Sequence, residues 1–233
     1  MTDNLIEKLP LKHNVLVVAA HPDDEALGCG GTIAKHIAQG DFVCVVFMTA
    51  GVSSRENSSN NDTELRKLAM EQALAILGVH NFHCYDFPDN KMDSVPLLSV
   101  VKCIEQLLKR YQPSIVYSHF SHDLNIDHRI THQAVMTACR PTKGSSVKKI
   151  LSFEVLSSTE WQSYSTPNFQ GQYIVDISQY WSKKEQALQC YQEELRKFPH
   201  SRSLECIEAL ATLRGASHGF PKGEAFQVER ILD

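Results

Sequence analysis

Residues 15–31 read VLVVAAHPDDEALGCGG, an apolar run that stops at His-Pro-Asp-Asp-Glu and continues into a glycine-rich segment. A run of Val, Leu and Ala bounded by Pro and Gly is typical of a strand buried on both faces, and such strands form parallel sheets covered by helices. In open α/β folds, ligands bind outside the carboxyl ends of these strands. The segment therefore places His21, Asp23, Asp24 and Glu25 where this class of fold carries its chemistry.

Four ionisable side chains within five residues favour a compensating positive charge. Imidazole and carboxylate are ordinary zinc ligands, and a catalytic zinc takes three protein ligands and keeps one position open. The local sequence therefore indicates a divalent metal whose third ligand comes from elsewhere in the chain. The plain alternative is a solvated acidic turn with Pro22 fixing the backbone.

Strand-like apolar runs alternate with helix-like segments over the first 140 residues. The predicted strands are 15–20, 42–49, 82–87 and 115–118, and the predicted helices are 28–39, 63–77, 95–111 and 128–139. This βαβ alternation predicts a Rossmann-like α/β fold, a single domain over residues 1–233, with a mostly parallel sheet and helices on both faces. Further on, the pattern favours strands at 148–154 and 173–177 and a long helix from 182 to 198 or beyond.

The glycines at positions 28, 30 and 31 are a poor match to a dinucleotide-binding fingerprint. A third glycine at the required offset is missing, and the acidic residues before them would repel a pyrophosphate. We expect these glycines to let the backbone turn closely beneath the metal loop and to start the helix. Glu25 has two interpretations: it orients a ligand imidazole, or it is a carboxylate favoured at a helix start.

Composition narrows the class of partner. The chain has 23 basic and 27 acidic residues among 233, a formal net charge of -4, without the block of like charge that a nucleic-acid groove or membrane-surface patch shows. The N-terminal residues lack the apolar core of a signal peptide, and no stretch reaches membrane-spanning length. The seven cysteines are an odd number without a C-x-x-C pair, which indicates buried, reduced thiols. We expect a cytoplasmic protein with a small-molecule substrate, no nucleic acid and no membrane insertion; the sequence leaves a homo-oligomer open.

A second polar cluster follows the predicted strand at 115–118. Residues 119–132 read HFSHDLNIDHRITH, and in a parallel sheet this segment would leave the same edge as the His21 loop. His128 and His132 are four residues apart, so they would project from one face of a helix that begins near Asp127. Alone, a histidine at a helix start is more often a cap or a surface residue, but the first cluster at the corresponding strand end favours a ligand role.

These two motifs resemble those of the LmbE-like (PIG-L) family of zinc-dependent de-N-acetylases. The resemblance extends through Thr49-Ala50-Gly51, Arg55, residues 87–93, 153–161, 213–215 and 223–226. It implies that His21, Asp24 and His128 hold a Zn²⁺ ion and that Asp23 is the general base. The family has a second histidine three residues before the last ligand, where this chain has Asn125.

That departure leaves the general acid unassigned. His122, His132, His200 or His218 are candidates, or Asn125 only hydrogen-bonds the oxyanion. We expect Asp23, Asn125 and His132 in catalytic roles. The expected substrate contacts are Arg55, Asp89, Asn90 and Trp161. A solvated loop arginine explains Arg55 equally well and a role in turn formation explains Asp89 and Asn90 equally well, whereas an aromatic such as Trp161 is more often part of the core.

The sequence therefore predicts a zinc-dependent hydrolase that removes the N-acetyl group of an amino sugar, glycoconjugate or nucleotide sugar. The amino-sugar substrate follows from the resemblance, whereas the residues themselves indicate metal-assisted hydrolysis of an acyl bond. The alternatives are hydrolysis of another small amide, such as a thiol conjugate, and a non-catalytic domain that binds metal or sugar. A His-Asp-His site also accepts iron or manganese.

Overall fold

A seven-stranded, mostly parallel sheet organises the protein. The computed structural model describes residues 12–51 and 60–233. The strand order is β3-β2-β1-β4-β5-β7-β6, in which β7 runs antiparallel to both of its neighbours. The strands are β1 (Asn14–Ala19), β2 (Phe42–Phe47), β3 (Asn81–Cys84), β4 (Ile115–His119), β5 (Lys149–Phe153), β6 (Tyr173–Asp176) and β7 (Gly223–Ile231).

Helices cover both faces of this sheet, as the alternation of the sequence predicts. They are α1 (Asp24–Ala38), α2 (Asn60–Leu77), α3 (Leu97–Tyr111), α4 (Ile126–Ala138), α5 (Trp181–Cys190) and α6 (Leu204–Ala216). Alternate residues of the central strands point to opposite faces. Val15 and Val17 of β1 belong to a core shared with α1, α2, α5 and α6, whereas Leu16 and Val18 belong to a core shared with α3 and α4. The chain thus forms a single α/β domain.

The register of β1 and β4 brings the two sequence motifs to one edge. Val17 pairs with Tyr117 in a parallel ladder, so both strands end at the same level. Just beyond β1, the Ala20 N–H donates a hydrogen bond of 2.8 Å to His119 Nε2 at the end of β4. The loop with His21 therefore lies beside the segment that leads into α4.

The glycines of α1 have a different role from the expected one. The helix begins at Asp24, four residues before Gly28, and its conformation is interrupted at Cys29, with φ of -147°. A Cβ atom at Gly28 would collide with the Phe153 ring, and one at Gly31 would lie 2.8 Å from Ile177. The glycines allow α1 to pack closely on its neighbours; they do not start it.

A buried ion pair fills the interruption in α1. Lys184 Nζ lies 2.6 Å from Glu224 Oε1 and donates a hydrogen bond of 2.8 Å to Leu27 O, the carbonyl before the break. Glu224 also accepts hydrogen bonds from the N–H groups of Gly31 and Thr32 after the break. Both halves of the broken helix thereby obtain partners for backbone groups that would otherwise be unsatisfied.

The C-terminal third departs most from the sequence-based prediction. The helix expected over residues 182–198 ends at Cys190, and a second helix, α6, and the long strand β7 follow it. Tyr191 is the first residue after α5, and its hydroxyl donates a hydrogen bond of 2.7 Å to Glu25 Oε1 next to the His21 loop. Tertiary contacts thus override the helical periodicity, as they commonly do. Among the helices described, none combines the length and apolar character needed to cross a membrane.

Candidate metal centre and active-site cavity

Three side chains from the two motifs converge at the carboxyl edge of the sheet. His21 Nδ1 and His128 Nε2 each lie 3.3 Å from Asp24 Oδ2, and the three residues form a group that could hold one cation. All three are buried. His21 is in the loop after β1, Asp24 is the first residue of α1 and His128 is in the first turn of α4.

Carboxylates on the far side of both imidazoles define which ring nitrogen faces the cation position. His21 Nε2 lies 3.0 Å from Asp127 Oδ2, and His128 Nδ1 lies 3.1 Å from Asp123 Oδ1. Metal-binding histidines usually donate their second ring N–H to such a carboxylate, which fixes the tautomer and the ring orientation. His21 Nδ1 and His128 Nε2 are therefore the nitrogens available as ligands.

Unsatisfied buried atoms test whether a metal fits. Within the part of the chain that the structure describes, Asp24 Oδ1 and both ring nitrogens of His128 are buried and have no hydrogen-bond partner, and Nδ1 is the nitrogen that lies 3.1 Å from Asp123 Oδ1. Unpaired buried polar atoms are costly, and those of a native protein call for an explanation such as a bound ion. Carboxylate oxygen and imidazole nitrogen are both zinc ligands, so these donor atoms fit a divalent metal.

The charges of the cluster are mutually dependent. Burial raises the pKa of Asp24, but the positive charge of His128 and the close contacts with the His128 and His21 imidazoles outweigh it and hold that pKa well below its usual range. His119 stacks on His128 with ring centroids 3.9 Å apart, and burial lowers the pKa of His119 well below its usual value. Asp24 is therefore ionised, as a metal ligand must be.

A second group, His21, Asp89 and Asp127, also brings three ligand atoms together. In this group, however, the Asp127 carboxylate already accepts hydrogen bonds from the N–H groups of Asn90, at 2.6 Å, and Met92, at 3.0 Å. Asp127 therefore orients His21 and anchors the neighbouring loop. We assign the cation position to the group that contains the unpartnered atoms of Asp24 and His128.

Asp23 lies beside this position in a strained conformation. Its φ is 122°, which a residue with a side chain rarely adopts, and such strain is characteristic of functional sites. Its carboxylate is held by two arginines, with Oδ2 3.0 Å from Arg202 and Oδ1 3.4 Å from Arg66. Burial raises the pKa of Asp23 to about 6, against the opposing charges of both arginines. A carboxylate of this pKa can exchange protons near neutral pH.

Glu25 supports the loop from below. Its Oε2 accepts a hydrogen bond of 3.0 Å from the Asp23 N–H, and its Oε1 accepts one from the Tyr191 hydroxyl. Burial raises its pKa to about 7. Of the two interpretations given above, the structure supports the helix-start carboxylate, since Oε2 binds the Asp23 N–H at the beginning of α1.

A cavity of about 140 Å³ opens over the metal group. Its lining contains His21, Asp23, Gly51, Arg66, Asp89, Asn90, Asn125, Glu194 and Arg202. Apart from Gly51, every one of these side chains is polar. The cavity is below the range of about 300–1,000 Å³ that is common for drug-sized ligands, so it suits a small polar group.

The predicted residues Asp89, Asn90 and Asn125 lie together in this wall. Asn125 caps α4 by accepting a hydrogen bond of 2.8 Å from the Asp127 N–H. Its Nδ2 donates to Asn90 Oδ1 at 3.0 Å, and Asn90 Nδ2 donates to Asp89 Oδ1 at 3.1 Å. The amide of Asn125 is thereby held at the cavity with a fixed orientation.

Other predicted residues lie elsewhere. His132, one turn after His128, points its Nδ1 to the carbonyl oxygen of His119 at 2.9 Å and is not part of the described cavity wall. Trp161 is half exposed and packs edge-on against His200 with ring centroids 5.3 Å apart, also outside the wall. Arg55 lies outside the described residues.

Several residues at the site were not anticipated from the sequence. Asp123 and Asp127 lie within the second cluster but receive no role from the sequence pattern, and Arg66, Glu194 and Arg202 lie outside both motifs. The carboxylates near His128 in the sequence were a usable signal, because metal-binding histidines usually donate their second ring N–H to a carboxylate. The other three come from α2 and from the segment between α5 and α6, which carry no recognisable motif.

Comparison with known proteins agrees with this geometry. Residues 16–139 match the family described as PIG-L, GlcNAc-PI de-N-acetylase. The chain belongs to the PIG-L family. A curated relative from Escherichia coli K12, the uncharacterized deacetylase YaiS, is 30% identical over 171 residues, which are 71% of this chain and 85% of that protein. The family and its named relatives indicate de-N-acetylase activity.

Two further similar proteins have different named activities. The solved N,N'-diacetylchitobiose deacetylase of Pyrococcus horikoshii superposes with a TM-score of 0.74 at 23% identity, over 94% of this chain and 84% of that one. This likeness shows the shared fold. The 4-oxalmesaconate hydratase of Pseudomonas putida is 28% identical to this chain over 191 residues, which cover 76% of this chain and 72% of the hydratase. Because one fold can carry different reactions, the reaction of this chain has to be argued from its site.

Proposed function

We propose that the protein is a zinc-dependent hydrolase that removes the acetyl group from an N-acetylated amino sugar, free or within a glycoconjugate or nucleotide sugar. The observation that carries this proposal is that Asp23 lines the same cavity as His21, one of the three residues whose ligand atoms converge on the cation position. A domain that only binds metal or sugar has no use for a strained, buried carboxylate at that place.

A divalent cation held by His21, Asp24 and His128 would acidify a water molecule and polarise the amide carbonyl. In the proposed mechanism, the Asp23 carboxylate accepts the proton of the attacking water. Arg66 and Arg202 keep both of its oxygens in place. The small, polar cavity orients the acetamido group so that its carbonyl carbon faces the water.

The departing amine then needs a proton. Asn125 can donate a hydrogen bond to the substrate oxygen, but an amide does not transfer a proton at neutral pH. We therefore propose that Asp23, protonated in the first step, returns its proton to the nitrogen. In this scheme His132 supports the site through the His119 carbonyl, and Trp161 contacts a distal part of the substrate.

The test is acetate release from N-acetylglucosamine and N,N'-diacetylchitobiose by zinc-loaded protein, with and without chelator. We expect Asp23→Asn to bind zinc normally and to lose activity about a hundredfold or more, because the base is missing. Asp93→Asn, at an exposed aspartate, is the matched control and should leave activity unchanged. If loaded protein releases acetate from none of these sugars, the proposal is wrong; cleavage of thiol-conjugate amides in its place would support that alternative.

The proposal also includes the expected setting of the enzyme. We propose that it acts in the cytoplasm on a small-molecule amino sugar. Cell fractionation with an antibody against the protein tests this location. Detection of the protein mainly outside the cytoplasmic fraction would contradict it.

A further inference from the structure

A turn of three hydroxyl-bearing residues, Ser157-Ser158-Thr159, follows β5 and contacts two different parts of the active site. Ser158 and Thr159 are buried and Ser157 is half-buried. None of the three belongs to the described cavity wall or to the group of metal ligands. Any effect of this turn on the reaction is therefore exerted through other side chains.

Ser158 and Thr159 hold the carboxylate that orients the metal ligand His128. Thr159 Oγ1 donates a hydrogen bond of 2.7 Å to Asp123 Oδ2, and Ser158 Oγ donates one to Asp123 Oδ1. Thr159 Oγ1 also accepts a hydrogen bond of 2.8 Å from the Val155 N–H, so its own hydroxyl hydrogen is directed to Asp123. The Asp123 carboxylate is thereby fixed at both oxygens, with Oδ1 3.1 Å from His128 Nδ1.

Ser157 contacts the other part of the site through Arg202. Its Oγ accepts a hydrogen bond of 2.6 Å from Arg202 Nε, and the Leu156 carbonyl oxygen accepts a longer one, of 3.3 Å, from the same nitrogen. Arg202 Nη1 donates a hydrogen bond of 3.0 Å to Asp23 Oδ2. The base of the proposed mechanism is therefore held by a guanidinium group that Ser157 fixes at its Nε.

The backbone of the turn sends these hydroxyls to different partners. Ser157 has φ of 68°, in the left-handed region that a residue with a side chain rarely adopts. The turn is held in this conformation because Glu160 Oε1 accepts a hydrogen bond of 2.6 Å from the Ser157 N–H, and the Val155 carbonyl oxygen accepts one of 2.9 Å from the Thr159 N–H. Strain that the surrounding contacts maintain in this way is characteristic of functional sites.

We propose that Ser157-Ser158-Thr159 is a positioning turn with two separate tasks. Ser157 keeps the general base in place through Arg202, and the other two hydroxyls keep the ligand histidine in place through Asp123. Because the three residues are consecutive, one turn fixes the base relative to the metal. The inference rests on the proposed function, since the base and the metal centre are those of that reaction.

Competition with a chromogenic chelator tests the contacts on the metal side. Thr159→Val replaces the hydroxyl with a methyl group and should weaken zinc affinity at least about threefold, because Asp123 loses one donor. Thr159→Ser keeps the hydroxyl and should bind zinc as the wild type does. The double variant Ser158→Ala/Thr159→Val should approach the loss of about 10–100-fold that is typical when the partner of a metal-binding histidine is removed. Ser163→Ala, at an exposed serine of the same connection, is the matched control and should leave the affinity unchanged.

Ser157→Ala tests the contact on the base side with two measurements. In zinc-loaded protein, kcat for acetate release should fall about tenfold while zinc affinity stays unchanged, because the base is displaced and the metal ligands are not. In zinc-free wild type, the hydrogen-bonded Arg202 Nε–H should give a slowly exchanging ¹⁵N NMR signal, which is assigned by its loss in Arg202→Lys. This signal should shift or broaden in Ser157→Ala.

This division of effects separates positioning from general destabilisation, which would change zinc affinity and kcat together. Unchanged zinc affinity in the double variant, equal losses in Thr159→Ser and Thr159→Val, or a wild type without a slowly exchanging Arg202 signal would overturn the inference. So would a Ser157→Ala variant that loses as much zinc affinity as Thr159→Val. Zinc affinity and the NMR signal are measured without turnover, so a zinc-loaded wild type that releases no acetate would refute the deacetylase proposal alone.

Discussion

The buried ion pair between Lys184 and Glu224 makes a quantitative prediction about the helix that carries Asp24. Both side chains are 4% exposed, and the two charges are 2.6 Å apart. Glu224→Gln keeps the shape of the side chain but leaves the Lys184 charge without its counter-charge. Breaking a buried pair from one side costs about 3–5 kcal/mol, because an uncompensated charge remains in the interior. We expect the free energy of unfolding to fall by this amount.

The assay is urea unfolding followed by circular dichroism, for Glu224→Gln, Lys184→Met and the double variant. The double variant removes both charges, so its loss should be about 1–3 kcal/mol smaller than the sum of the single losses. Glu208 and Lys222 are the control pair, 2.7 Å apart, with Glu208 51% and Lys222 17% exposed, and Glu208→Gln should cost less than about 1 kcal/mol because the carboxylate that it removes is solvated. Equal losses for Glu224→Gln and Glu208→Gln, or strictly additive losses in the cycle, would refute the reasoning.

Three further predictions concern other parts of the fold. Gly31→Ala should lower the free energy of unfolding by about 1–3 kcal/mol in urea titrations, because its Cβ would lie 2.8 Å from Ile177; an unchanged midpoint contradicts the packing argument. Asp123→Asn should weaken zinc affinity about 10–100-fold in competition with a chromogenic chelator, since Asp123 orients His128; unaltered affinity contradicts this role. Burial lowers the pKa of His36 below its unfolded value of 6.5, so the unfolded chain takes up the proton first and the free energy of unfolding falls as the pH drops below about 6.5. His36→Gln should reduce this loss of stability between pH 7.5 and 5.5. The same pH dependence of stability in the variant and the wild type would contradict the prediction.

The part of the site nearest the first strand was predictable because local chemistry and topology agree there. The apolar run before His21 indicates a buried parallel strand, and parallel strands end at a common edge, so the segment after β4 had to lie nearby. The juxtaposition of His21, Asp24 and His128 follows from these two rules. Each of the two imidazoles has one ring nitrogen facing the cation position and the other facing a carboxylate, and these two contacts determine its orientation.

The opposite wall could not be predicted, because it depends on contacts between distant parts of the sequence. Asp23 and Arg202 are 179 residues apart, and nothing around Arg202 marks it as different from an ordinary surface arginine. The prediction of one helix over residues 182–198 was wrong for the same reason. Tyr191 interrupts the helix to reach Glu25, a contact that no local pattern encodes. The strand β7 was likewise missed, since its antiparallel pairing with β5 and β6 does not follow from the βαβ alternation.

The central claim is that one divalent cation binds between the two motifs. The most direct measurement is anomalous diffraction at the zinc edge from crystals of zinc-loaded protein. The account predicts a single strong peak within about 2.0–2.2 Å of His21 Nδ1, an Asp24 carboxylate oxygen and His128 Nε2. A peak between Asp89 and Asp127, or the absence of any peak near these residues at full zinc loading, would contradict it.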